Sequence, residues 1–96
     1  MSFRLEVADI FDISGRGIVV TGTIETGSVR VGDTLQLKSG VSSRKVVVAS
    51  IEKFQLPALH EATAGPDDVG IGLFGVTRDQ VQVRDVLVSD PGGRHG

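Results

Sequence analysis

Ninety-six residues carrying ten bases, twelve acids and no cysteine make one small domain. Area scaling gives roughly 5,300 Å² exposed when folded against roughly 14,600 Å² unfolded, enough burial for a core without covalent staples. The missing cysteines exclude a disulfide framework and thiolate metal sites, and a net charge of −2 speaks against bulk electrostatic binding to nucleic acid.

Phe3, Leu5 and Val7 alternate with Arg4, Glu6 and Ala8, the pattern of a strand with one buried face. Ser14-Gly15-Arg16-Gly17 is a loop or tight turn. Gly17 to Glu25 is the next strand, with Ile18, Val20, Gly22 and Ile24 on one face and Val19, Thr21, Thr23 and Glu25 on the other. Thr26-Gly27 turns the chain. Ser28 to Arg30 is a short strand that enters a second turn, Val31-Gly32-Asp33. Thr34 to Lys38 alternates through Leu35 and Leu37, and Lys38 to Ser43 is a polar loop. Lys45 to Phe54 is the longest strand. Strict alternation sets Val47, Ala49 and Ile51 against Val46, Val48 and Ser50, so both faces carry apolar residues. Gln55 to Asp68 is a long connection broken by Pro57 and Pro66. Val69 to Val76 is a glycine-interrupted strand, Thr77 to Arg84 a turn or single helical turn, and Asp85 to Ser89 the closing strand. The domain is expected over residues 1–89, with 90–96 as a flexible C-terminal tail. Six to eight short strands with turn signals every 8–12 residues predict a small all-β barrel or sandwich. Gly22, Gly70 and Gly72 within strands suit tight curvature or close backbone approach.

Apolar runs reach about four residues, as at Val46–Ala49, whereas a membrane span needs about twenty. The N-terminus lacks the apolar stretch of a signal peptide. A cytoplasmic protein with no membrane partner is expected.

Little in the chain points to catalysis. Gly70-Ile71-Gly72-Leu73-Phe74-Gly75 fits G-x-G-x-x-G by letter, but the dinucleotide reading needs a helix behind it, and Thr77-Arg78-Asp79-Gln80 has no apolar helical period. No G-x-x-x-x-G-K-[ST] loop is present, so no GTPase or ATPase activity is expected. His60 and His95 are the only histidines and are far apart in sequence. Asp67-Asp68 reads as a solvated turn, and no serine sits at a nucleophile elbow. The expectation is no enzyme, no metal, no cofactor and no small-molecule substrate. Of the four phenylalanines, at 3, 11, 54 and 74, the pattern assigns at least two to the core, which disfavours a base-stacking platform. Arg16 stands between two glycines that leave its guanidinium unobstructed for a phosphate; a plain hairpin tip with a solubilising arginine accounts for the same residues.

The run Ile10-Phe11-Asp12-Ile13-Ser14-Gly15-Arg16-Gly17-Ile18-Val19-Val20-Thr21-Gly22 resembles the opening of the second domain of elongation factor Tu and related translational GTPases. Val31-Gly32-Asp33, Val48-Ala49-Ser50-Ile51-Glu52-Lys53-Phe54, Ala64-Gly65, Val69-Gly70, Gly75-Val76 and Val86-Leu87 continue the likeness in order, from about Phe3 to Ser89. The resemblance implies a closed antiparallel β-barrel of six to eight strands. The family's GTP-binding domain has no counterpart in these residues.

In that family the Gly-Arg-Gly loop approaches the small ribosomal subunit, which makes Gly15, Arg16 and Gly17 candidates for contact with ribosomal RNA. The Tu branch also holds the aminoacylated end of tRNA on the barrel. Val19, Thr21 and Glu52 match that pocket, but Gln55 stands in place of an arginine, Asp68 in place of an asparagine and Gly72 in place of an apolar residue. Loss of a cation and gain of a carboxylate beside a polyanion predict a penalty of several kcal/mol for aminoacyl-tRNA. Two functions follow as expectations. One is a non-catalytic module docking on the ribosome through Arg16, with Arg44 and Lys45 if the fold brings them near. The other is a protein-interaction domain, binding a partner or a GTPase domain through the 55–72 region and outward Val19, Val46 and Val48.

Overall fold

A computed structural model describes residues 2–15, 17–53 and 56–90, with backbone alone at 56 and 57. Ten strands form in chain order: β1 (Arg4–Glu6), β2 (Asp9–Ile13), β3 (Gly17–Thr26), β4 (Ser28–Arg30), β5 (Thr34–Ser39), β6 (Ser42–Lys53), β7 (Leu56–Leu59), β8 (Glu61–Thr63), β9 (Asp68–Phe74) and β10 (Val86–Ser89). A 3-10 turn, Arg78–Gln80, precedes β10. Among the described residues there is no α-helix.

The order β1-β10-β5-β6-β9-β3 closes on itself through β3–β1 pairing, giving a six-stranded antiparallel barrel. Two further strands flare from it: β2 pairs β3 and β7 pairs β6. Long β3 and β6 permit this, because each presents one edge to two partners in succession. The first half of β3 pairs β2 and its end pairs β1; the first half of β6 pairs β5 and its end pairs β7. Closure removes most exposed edges.

Alternation fills the barrel as the sequence predicts. Leu5, Leu87 and Leu37 lie side by side across β1, β10 and β5, and Val20, Ile71 and Ile51 across β3, β9 and β6, all essentially inaccessible. The β4–β8 ribbon contributes Val29 and Ala62 to the same core, and Val81, just past the 3-10 turn, is also fully buried. The accessible surface is 5700 Å², close to the expectation from chain mass.

Five expectations need correction. Asp9–Ile13 is a strand, hidden in the sequence because Ile10, Phe11 and Ile13 break a two-residue period. The 55–68 connection holds β7 and β8, of four and three residues, too short to show a period in the sequence. The 38–43 loop is a hairpin, since β5 runs through Ser39 and β6 begins at Ser42. Most consequential is a bulge in β6. Val48 lies opposite Leu73, but Ser50, not Ala49, lies opposite Gly72. One extra residue resets the alternation, so Val46, Val48 and Ile51 all point inward, each 1% exposed. Val46 and Val48 are therefore core residues, not an outer contact face. Asp90, expected to open a frayed tail, is 4% exposed and accepts a hydrogen bond from the Gln36 amide at 3.1 Å. Residues 91–96 lie outside the described residues.

Candidate functional site

Strands β2, β3, β9 and β6 lie side by side, and their outer face carries the sequence-predicted pocket positions. Directly opposed residues of antiparallel strands share a face. One row therefore runs Asp9, Thr21, Gly70, Glu52, and the next runs Phe11, Val19, Gly72, Ser50. The two glycines leave the middle of the face bare. The result is a groove of about 390 Å³, walled by Phe11, Ile13 and Val19 and bordered by Thr21, Glu52, Lys53 and Asp68. A Cβ built on Gly70 would meet Glu52 Cγ at 3.3 Å and Val19 Cγ1 at 3.6 Å, so Gly70 is the floor and those two side chains flank it. Val19 is nearly inaccessible yet lies outside the barrel core, on the outer wall that alternation predicts.

Four expected pocket residues from three strands, Val19, Thr21, Glu52 and Asp68, thus converge. Gly72 lies one row away, where a Cβ would run into the Ser50 hydroxyl. Gln55 lies outside the described residues.

A second groove, of about 530 Å³, opens where the Ser14–Gly17 turn enters β3. Gly15 and Gly17 line it together with Phe74, Gly75, Thr77 and Arg78. Both glycines have positive φ, 82° and 84°, and open space where a Cβ would stand. They are required by the turn's backbone conformation, not by close approach of another chain segment. Arg16 lies outside the described residues. The basic side chain found beside this turn is Arg78, which the sequence reading passed over; its guanidinium also donates to the Val81 carbonyl at 3.3 Å. Arg44 and Lys45 are engaged elsewhere. Arg44 shares a neighbouring hollow with Asp79, and Lys45 Nζ lies 3.7 Å from Asp90 Oδ2. The Thr77 hydroxyl donates to Asp79 and, with the backbone amide of Asp79, holds that carboxyl below its ordinary range; burial opposes slightly, and the Arg44 charge adds the smallest contribution.

The aromatics divide between core and surface. Phe3 is core, but Phe11 and Phe74 are 48% and 64% exposed, because both fall on the outer face of their strands; Phe54 lies outside the described residues. Their exposure could have been read from the partners of β2 and β9, had β2 been recognised. The glycine-rich run 70–75 lies mostly within β9 and is followed by the 3-10 turn, which rules out the dinucleotide-binding geometry. His60 is exposed, and His95 lies outside the described residues. Among the described residues, no three histidine or carboxylate side chains gather as metal ligands, and no helix is long and apolar enough to cross a membrane. No family model matches the chain.

Proposed function

We propose that the chain is a non-catalytic module of the translational-GTPase second-domain type, docking on ribosomal RNA through the barrel end that carries Gly15, Arg16 and Gly17, with no GTPase activity of its own. The closed six-stranded barrel agrees with that resemblance. The observation that carries the reading is the convergence of Gly15, Gly17, Phe74 and Arg78 on one open groove. An arginine and an exposed aromatic beside a glycine turn supply the two elements of non-sequence-specific RNA contact, a phosphate-binding cation and a flat ring for a base. The other groove is poorly suited to the aminoacyl end of tRNA. Glu52 and Asp68 border it, and both would face a polyanion.

The test is co-sedimentation with ribosomes of Arg16→Glu and Arg78→Glu beside the parent chain, with circular dichroism to verify the fold. Each reversal is expected to weaken retention about tenfold or more, the scale of a lost charge-assisted contact. Unchanged retention of both variants would remove the assignment.

A second reading, a protein-interaction domain, is favoured by one observation. Phe11, Ile13, Val47 and Phe74 are exposed on the same outer face of β2, β6 and β9.

A further inference from the structure

We propose that the open position over Gly17, between Phe74 and Ile13, seats one unpaired nucleobase, so that the RNA element held at this barrel end is an unstacked nucleotide and not a paired stem. The inference rests on the ribosomal-docking reading and deepens it.

The seat follows from the strand register. Ile13 lies opposite Gly17, and Ile18 lies opposite Leu73. The same register carried one residue further sets Gly17 beside Phe74, which lies opposite Val47. The outer row therefore runs Ile13, Gly17, Phe74, Val47. Gly17 alone of the four has no side chain, and a Cβ there would meet nothing within 4 Å. Phe74 and Ile13, both exposed, are left as facing walls two strand spacings apart, about 10 Å. A flat ring between them needs two van der Waals contacts of about 3.5–4.0 Å each, which that span admits.

The occupant's chemistry follows from what surrounds the seat. Gly17 and Phe74 also line the barrel-end groove, which they share with Arg78. The Arg78 guanidinium offers five N–H donors, one of them spent on the Val81 carbonyl. Open space beside the Gly15 and Gly17 backbone lets a sugar-phosphate chain come close. Asp12, the one carboxylate in that lining, falls in the next row with Ile18 and Leu73, on the other face of the sheet from the stacking row. The apolar row is small beside the about 20–30 residues a side of a standard protein interface, and it matches a single ring. Bases within a stem stay stacked on their neighbours, whereas an unpaired base can be splayed out and offer its faces to side chains.

The experiment is fluorescence anisotropy with a labelled RNA hairpin carrying one bulged adenosine and with its fully paired twin, at low salt. The bulged RNA is expected to bind about tenfold or more tightly, the scale of one base stacked on an aromatic ring. Phe74→Ala should erase that preference without weakening the paired twin. Gly17→Asn should erase it too, since asparagine tolerates positive φ and its side chain fills the seat; the melting transition should persist in both variants. Arg78→Glu should weaken both RNAs. Equal binding of the two RNAs by the parent chain, or a preference that survives Phe74→Ala, would overturn the base seat and leave docking through phosphate standing. Binding of neither RNA, with co-sedimentation with ribosomes intact, would overturn the seat alone. Loss of both would remove the docking reading with it.

Discussion

Gly22 and Gly70 sit in adjacent strands, and absence of a side chain serves a different purpose at each. A Cβ at Gly22 would run into the Glu6 backbone carbonyl and crowd Leu5 Cδ2 at 3.1 Å, where β3 passes from β2 to β1. Backbone cannot yield as a side chain tip can. A Cβ at Gly70 meets only the flexible Glu52 stem and Val19. Gly22→Ala is therefore expected to cost about 1–3 kcal/mol in urea unfolding, by the usual magnitude of overpacking. Gly70→Ala should stay within about 1 kcal/mol of the parent. Equal losses for the two would show that space at Gly22 is not what closure requires.

At the scale of the element, strand β10 enters the barrel through a turn that holds Arg84 at φ 80°, the one positive-φ residue other than glycine among the described residues. Hydrogen bonds fix the turn. The Arg84 amide donates to the Val7 carbonyl, the Val7 amide to the Asp85 carbonyl, each at 2.8 Å, and the Gln82 amide to the Asp85 carboxylate, also at 2.8 Å. A left-handed conformation costs a side-chain-bearing residue about 1–2 kcal/mol, partly offset in glycine by unfolded-state entropy. Arg84→Gly should thus stabilise the chain by about 0.5–1 kcal/mol, read from the urea midpoint at unchanged slope; a destabilised variant would contradict the strain. Elements of this kind mark where the sequence stops being readable. Alternation exposed β1 and β5, where buried residues alternate with more accessible ones, and β3 from Val20 to Glu25, although Val19 on its outer face is covered as well. It misled at β6, where the extra residue at Ala49 moved Val46 and Val48 inside, since a bulge leaves no mark on composition. It was silent on β2 and β7, whose pairing depends on the long edges of β3 and β6, not on their own residues. The groove positions Val19, Thr21, Glu52 and Asp68 were legible through resemblance, whereas Phe11, Phe74 and Arg78 needed the strand partners to place them.

At the scale of the molecule, one barrel carries two outer grooves of different chemistry. The groove above β9 is apolar with an acidic border, and the groove at the barrel end gathers Gly15, Gly17, Phe74 and Arg78. A net charge of −2 means that any hold on RNA must be local to the second groove. Few phosphate contacts imply weak, salt-sensitive binding, with a log–log slope of roughly −1.5 to −2 for two neutralised phosphates. The most direct measurement is co-sedimentation of the intact chain with purified ribosomes across a salt series. Retention at low salt that declines with that shallow slope is the predicted result. No retention at any salt, or retention indifferent to salt, would contradict docking on ribosomal RNA.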